Sequence, residues 1–138
     1  MRTLVIVMSL AGAMGLAATP ARTAERATFL LGQYATEKQC AKLRKIEAGG
    51  DESVSTAPEL LDADGIHGWE GGCRFTKIFE HEPGRMWLAL MICTEGPSVT
   101  PATYVFVKEQ DQDAFEVRGS DDLGDPGLYT RCDAKKGN

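Results

Sequence analysis

The chain has 138 residues, 43% of them hydrophobic, a formal net charge of −5 and four cysteines. Its acidity argues against nucleic acid or anionic lipid as the main partner, since both repel an excess of carboxylates. The length suits one domain of the usual ~100–150 residues, not several.

The N-terminal stretch has the three parts of a secretory signal, assigned to residues 1–24. Arg2 supplies the positive start, Leu4 to Ala18 run without a charge, and small residues follow. A cut is expected after Ala18, Ala21 or Ala24, which leaves residues 25–138 as a single disulfide-bonded, β-rich domain. The apolar run is shorter than the ~20 residues that span a bilayer, and no basic cluster halts it, so no stable membrane anchor is expected. Losing Arg2 alone, or Arg22 as well, takes the charge from −5 to about −6 or −7. The expected location is periplasmic or secreted.

In an exported chain, an even number of cysteines reads as two disulfides. Cys40, Cys73, Cys93 and Cys132 lack the short spacings of a four-thiolate zinc site.

In chain order, "ATFLLGQY" (27–34) is expected to form a first strand. "TEKQCAKLRKIEAGG" (36–50) is the clearest helix, with Thr36 and Gln39 spaced as a capping box. Glu37 suits the positive first turn, Arg44 and Lys45 suit the negative end, and Gly49 offers a left-handed stop. Its apolar stripe is only Cys40, Leu43 and neighbouring Ile46, which predicts a surface helix tethered by Cys40. The basic face of Lys38, Lys42, Arg44 and Lys45 is read as solvated.

After a polar loop, "DADGIHGWEGGC" (62–73) holds three acids, a histidine and a tryptophan. As a calcium loop it fails. Aligning Asp62, Asp64 and Gly65 to loop positions 3, 5 and 6 puts Leu60 and Gly71 where the end ligands belong. Asp64-Gly65 is a favoured tight-turn pair, so a turn between two strands is expected.

"CRFTKIFEHEPGRMWLALMIC" (73–93) alternates on both sides of a Pro-Gly turn. Centring the hairpin on Pro83 opposes Phe79 to Trp87, Phe75 to Met91 and Cys73 to Cys93. It also pairs Ile78 with Leu88 and Thr76 with Leu90. Shifting the register by one residue separates the two cysteines to opposite faces. Cys73–Cys93 with Cys40–Cys132 is therefore the first choice, and Cys40–Cys73 with Cys93–Cys132 the alternative. Two further strands lie in "TYVFVKEQ" and "AFEVRG", with Val105, Val107, Phe115 and Val117 as buried positions. A turn-rich tail brings Leu128, Tyr129 and Cys132 back to the body. The predicted class is α+β: a small antiparallel β-sheet or partly closed barrel of five to seven strands, one short N-terminal helix and two disulfides.

Candidate chemistry is sparse. His67, Glu70 and His81 are the only zinc-like set, and the chain has two histidines in all. Asp121, Asp122 and Asp125 are weak calcium candidates, more simply read as loop residues. No Gly-x-Ser-x-Gly elbow or Cys-x-x-Cys pair occurs. A glycosidase-like carboxylate pair, Glu70 with Glu80 or Asp64, is conceivable. No catalytic residue, metal or cofactor is assigned. His67, Trp69 and Glu70 stand as the ligand-contact candidates.

Gly32, Tyr34, Cys40, Gly65, Gly68, Glu70, Cys73, Trp87, Cys93, Glu95 and Gly96 form a pattern that resembles short exported proteobacterial proteins of unknown function. In general build the chain is also similar to small periplasmic lysozyme inhibitors. The resemblance implies a periplasmic β-rich domain and brings no activity with it. The expectation is a non-enzymatic binding or interaction module, such as a protein inhibitor or envelope-associated factor, whose partner is a protein or envelope component. The alternative is a small envelope-glycan hydrolase using carboxylates near Glu70.

Overall fold

The computed structural model describes residues 24–53, 55–120 and 127–132. The leader, the aspartates at 121, 122 and 125, and the last six residues lie outside them.

Eight antiparallel strands close into a barrel in chain order. They are β1 (Tyr34–Ala35), β2 (Leu60–Asp62), β3 (Gly65–His67), β4 (Gly71–Glu82), β5 (Met86–Glu95), β6 (Ser98–Lys108), β7 (Ala114–Gly119) and β8 (Gly127–Arg131). One helix, α1 (Glu37–Glu47), lies between β1 and β2. Closure comes from β1 pairing with β8, where Tyr34 opposes Arg131 and Ala35 opposes Thr130. The expectation of five to seven strands and partial closure thus fell short. The strand that was not expected is β8, in the tail read as turn-rich, and its pairing with β1 places every strand between two neighbours.

The segment "ATFLLGQY" is not a strand before Tyr34. It and the residues just before it bond to the barrel from below: Glu25 N–H to the Phe75 carbonyl (3.2 Å) and Ala27 N–H to the Ala63 carbonyl (2.8 Å). Ala27 and Leu30 are buried, and Phe29 stacks on Trp87 with ring centroids 4.2 Å apart. The apolar run plugs one end of the barrel.

The β4–β5 hairpin matches the expected register at its disulfide and departs from it near the turn. Cys73 opposes Cys93 and Phe75 opposes Met91, but Ile78 opposes Ala89, Phe79 opposes Leu88 and Glu80 opposes Trp87. The turn is Pro83–Gly84, with Gly84 at φ 66° and Arg85 N–H bonded to the Glu82 carbonyl. Pairing therefore begins one residue later than a hairpin centred on Pro83. Two bulges in β4 absorb the offset, one between Phe75 and Lys77, the other between Glu80 and Glu82. At the first, Thr76 does not pair; its hydroxyl donates to the Leu90 carbonyl at 2.9 Å. Beyond it Ile78 packs on the core while Phe79 is exposed.

Inward side chains of β5 and β6 face each other in register: Trp87 with Phe106, Ala89 with Tyr104, Met91 with Ala102 and Cys93 with Thr100. Phe106, not Val105 or Val107, is buried in β6, as is Ala102, while Phe115 and Val117 are buried as expected. Two valines flanking a phenylalanine give no clue to which face turns inward. Tyr34, Leu61, Phe75 and Met91 complete the core.

Both expected disulfides are present, Cys40–Cys132 and Cys73–Cys93. Helix α1 buries only Cys40, so the first bond pins it across the β1–β8 seam. Thr36 is the N-cap residue but makes no side-chain cap bond, contrary to the capping-box expectation. Gln39 instead accepts the Glu59 N–H at 3.1 Å, tying the helix to the start of β2. At the other end Gly49, at φ 92°, donates to the Ile46 carbonyl and Gly50 to that of Lys45. That bond pattern is a Schellman stop. Among the described residues, no helix is long and apolar enough to cross a membrane.

Candidate functional site

Every strand joins its neighbour at one of two barrel ends, and the ends differ. Below lie the plug, the Ala63–Asp64 turn and the Pro83–Gly84 turn. Above lie Thr36, Glu59, the Gly68–Gly71 turn, the β5–β6 turn and the facing ends of β7 and β8. The upper end opens into a cavity of about 640 Å³. Mouths of β-barrels are among the preferred places for small-ligand sites, and 300–1,000 Å³ is their usual size range.

The Cys73–Cys93 disulfide, Ile66 and Val117 line the inner part of this cavity, where the core ends. Tyr104 and Tyr129 line it from β6 and β8, while Glu59, Trp69, Glu70 and Glu95 stand on exposed positions around it. Glycines keep it open. A Cβ on Gly119 would lie 2.9 Å from the Tyr104 ring, and one on Gly127 would lie 3.0 Å from the Tyr129 ring. Each ring therefore rests against a bare backbone, Tyr104 over its cross-strand partner Gly119 and Tyr129 over Gly127 of its own strand. The Tyr104 hydroxyl approaches the Cys73 sulfur at 3.9 Å, and that of Tyr129 donates to Glu59 at 3.3 Å.

The "HGWEGGC" stretch forms the hairpin that raises one wall. Gly68 N–H bonds to the Gly71 carbonyl at 2.8 Å, which leaves Trp69 and Glu70 at the tip. The Gly96 N–H donates to the Glu70 carbonyl at 3.3 Å and braces this tip against the β5–β6 turn. Gly71 and Gly72 are required by close strand approach. A Cβ there would fall 2.0 Å from the Thr94 carbonyl oxygen and 2.3 Å from that of Ile66.

The structure separates the three sequence-derived candidates. Glu70 lines the mouth. His67 lines a second depression of about 440 Å³, outside the barrel wall, with Leu43 and Ile46 of α1. Trp69 borders both. His67 Nε2 lies 2.9 Å from Asp62 Oδ1, which also accepts the amides of Asp64 (2.9 Å) and Gly65 (3.3 Å). Burial pushes the Asp62 carboxyl up, but the His67 hydrogen bond and the two amides together outweigh it and hold it below its ordinary range. The turn itself is Ala63–Asp64, with Gly65 already the first residue of β3 and opposite Asp62.

The carboxylates considered beside Glu70 have other partners. Asp64 pairs with Arg26 at 2.9 Å, and Glu80 accepts the Gly84 N–H at 2.7 Å below the barrel. The mouth brings Glu59 and Glu95 beside the cavity with Glu70 instead. Among the described residues no three His, Cys, Asp or Glu side chains converge as metal ligands.

Sequence reasoning missed Tyr104, Tyr129, Glu59 and Glu95 as mouth residues. The signal was the period-two alternation that puts Tyr104 on the face of Phe106. It becomes usable only once the barrel is known to close.

Fold and site together define a closed up-and-down β-barrel, plugged at one end and open at the other. No protein family profile matches the chain, and neither a curated protein nor a solved structure is significantly similar to it.

Proposed function

We propose that this protein is a non-enzymatic binding module of the periplasm or extracellular space that holds its ligand in the barrel mouth. The supporting observation is the open cavity with a fixed aromatic and disulfide lining, set in a barrel whose opposite end is packed shut. Two disulfides fit an oxidising compartment, in keeping with the leader read at residues 1–24. An envelope-associated factor or a protein inhibitor is the form this role takes.

The test is a ligand screen with envelope fragments and small metabolites, read by thermal shift and by NMR of the Tyr104 and Trp69 rings. A Thr100→Trp variant fills the mouth and serves as the control. Ligands that raise Tm in the wild type and not in the variant support the reading. Shifts that are equal in both proteins, or absent from both, overturn it.

A second reading, an envelope-glycan hydrolase, draws on one observation: Glu59, Glu70 and Glu95 line the same cavity. It requires turnover of peptidoglycan fragments that Glu70→Gln abolishes. Turnover that survives that change, or none at all, removes it.

A further inference from the structure

We infer that the mouth selects an organic cation, an ammonium head carried on a small apolar body. The inference rests on the proposed binding role of the mouth and adds the charge and shape of what enters.

Three properties of the cavity point the same way. The inner part is apolar, made by the disulfide, Ile66 and Val117. It suits a hydrocarbon body, and a cavity of about 640 Å³ gives that body room. Three aromatic rings line the same cavity, those of Trp69, Tyr104 and Tyr129. Aromatic faces attract ammonium groups within about 6 Å of the ring centre, most strongly for quaternary heads. The ionisable lining then decides the sign. Among the described lining residues, besides the two tyrosines, it consists of Glu59, Glu70 and Glu95, with no Lys, Arg or His. An anionic head would meet three carboxylates and no counter-charge, and a neutral one would gain nothing from them.

Among the described residues, no base lines the mouth. Arg26 pairs with Asp64, Lys77 with Glu25, Arg85 with Glu82, Arg118 with Glu116 and Arg131 with Asp113. Arg44 pairs with Glu37 on the helix surface, and Lys42 donates to the Ala57 carbonyl. None of these side chains lines the cavity. The mouth is lined by carboxylates and aromatic rings, and a negative field there raises the local concentration of cations.

The same ammonium chemistry is offered by a free amine and by a lysine side chain of a protein. Both fit the mouth, and the probes separate them.

The experiment titrates the full exported domain with benzyltrimethylammonium, benzylamine, benzyl alcohol and benzoate, using calorimetry and the NMR signals of Trp69, Tyr104 and Tyr129. An acetylated tri-lysine peptide is the fifth probe. Both cations are expected to bind and to shift the three rings, at least tenfold tighter than the alcohol, with benzoate not binding. Tighter binding of the peptide than of benzylamine assigns the head to a protein chain; the reverse assigns it to a small molecule. Glu70→Gln and Glu95→Gln are each expected to weaken the cations about fivefold, as befits one solvated charge at close range. Trp69→Ala is expected to weaken them about two- to fivefold. These exposed substitutions leave the core alone, and an unchanged near-ultraviolet circular dichroism spectrum verifies that.

Binding of benzyl alcohol or benzoate as tight as that of the cations, lost in Thr100→Trp, overturns the cation inference and leaves the binding role standing. Cation binding that the glutamine variants do not weaken also overturns it. No mouth binding by any probe, together with a failed ligand screen, overturns both.

Discussion

The two ends of the barrel use the same strands and finish them in opposite ways. Below, Phe29 stacks on Trp87 and lies 5.7 Å from both Phe106 and Phe115, so four rings from four segments seal the lumen. Above, the inward positions pass to Cys73 and Cys93, Thr100, Gly119 and Gly127, and the lumen stays open. Each aromatic pair below adds roughly 0.5–1.5 kcal/mol beyond the burial of its area. Above, the covalent bond between Cys73 and Cys93 holds β4 and β5 together, and the rings of Tyr104 and Tyr129 line the space beside it. The lower end is packed with core rings, while the upper end leaves a cavity for the proposed site.

The largest expected effect tests the seam that joins the two ends. Cys40–Cys132 closes a loop with a sequence separation of 92. Replacing both cysteines with alanine is expected to cost about 4–5 kcal/mol in chain restriction. Equilibrium denaturation measures it, and a loss under about 1 kcal/mol breaks the idea that the short β1–β8 pairing depends on this bond.

Next comes a direct contrast between the two tryptophans. Trp87→Ala is expected to cost about 3–5 kcal/mol, as for a large core aromatic. Trp69→Ala, at a 53% exposed position, is expected to stay within about 0.5 kcal/mol. Equal losses, read from urea midpoints, erase the distinction between a ring-packed end and an open one.

That contrast bears on what could be seen in the sequence. The helix was legible because Thr36 and Gly49 mark its limits, and the cysteine pairing because the hairpin register centred on its Pro-Gly turn sets Cys73 directly opposite Cys93. The plug was not. Residues 27–33 are as apolar as a strand, and nothing local says that Phe29 will find Trp87 rather than a neighbouring strand. The bulge at Thr76 was also hidden, since its effect is to exchange Ile78 and Phe79, two apolar residues, between core and solvent. Of the site, Trp69 and Glu70 were legible as residues at a glycine-rich tip. Glu59, Glu95, Tyr104 and Tyr129 come together only through closure, a long-range event with no local signature.

A smaller effect concerns the lower rim near the seam. Tyr34 is fully buried and its hydroxyl donates to Asp113 at 2.8 Å. Burial, then the Asp113 hydrogen bond and its negative charge, push the phenol up to about 12. The folded state therefore favours the neutral phenol. Its contribution is complete below the ordinary value near 10 and is lost as pH rises from about 10 through about 12. Tyr34→Phe is expected to cost about 1.5 kcal/mol at pH 7 and to flatten that alkaline loss. Denaturation at pH 7 and above pH 10 reads both numbers, and an unchanged alkaline slope rules out Tyr34 as its source.

The smallest effect sharpens the contrast through the turn that holds the plug. Asp62 Oδ1 gathers the amides of Asp64 and Gly65 and the ring of His67, fixing the turn whose Ala63 carbonyl receives the Ala27 N–H. Because the folded carboxyl lies below its ordinary 3.8, its contribution is present above that value and is lost as pH falls through the folded one. Asp62→Asn keeps an acceptor oxygen but removes the charge, so a loss of about 0.5–1 kcal/mol is expected at neutral pH and none once the wild-type carboxyl is protonated. Hydrogen exchange gives the decisive readout. The Ala27 amide is expected to exchange a few times faster in the variant, while the Gly68 and Gly96 amides at the mouth keep their rates. Faster exchange at both ends would mean that plug and mouth move as one unit. The mouth could then no longer be treated as a site resting on an independently closed base.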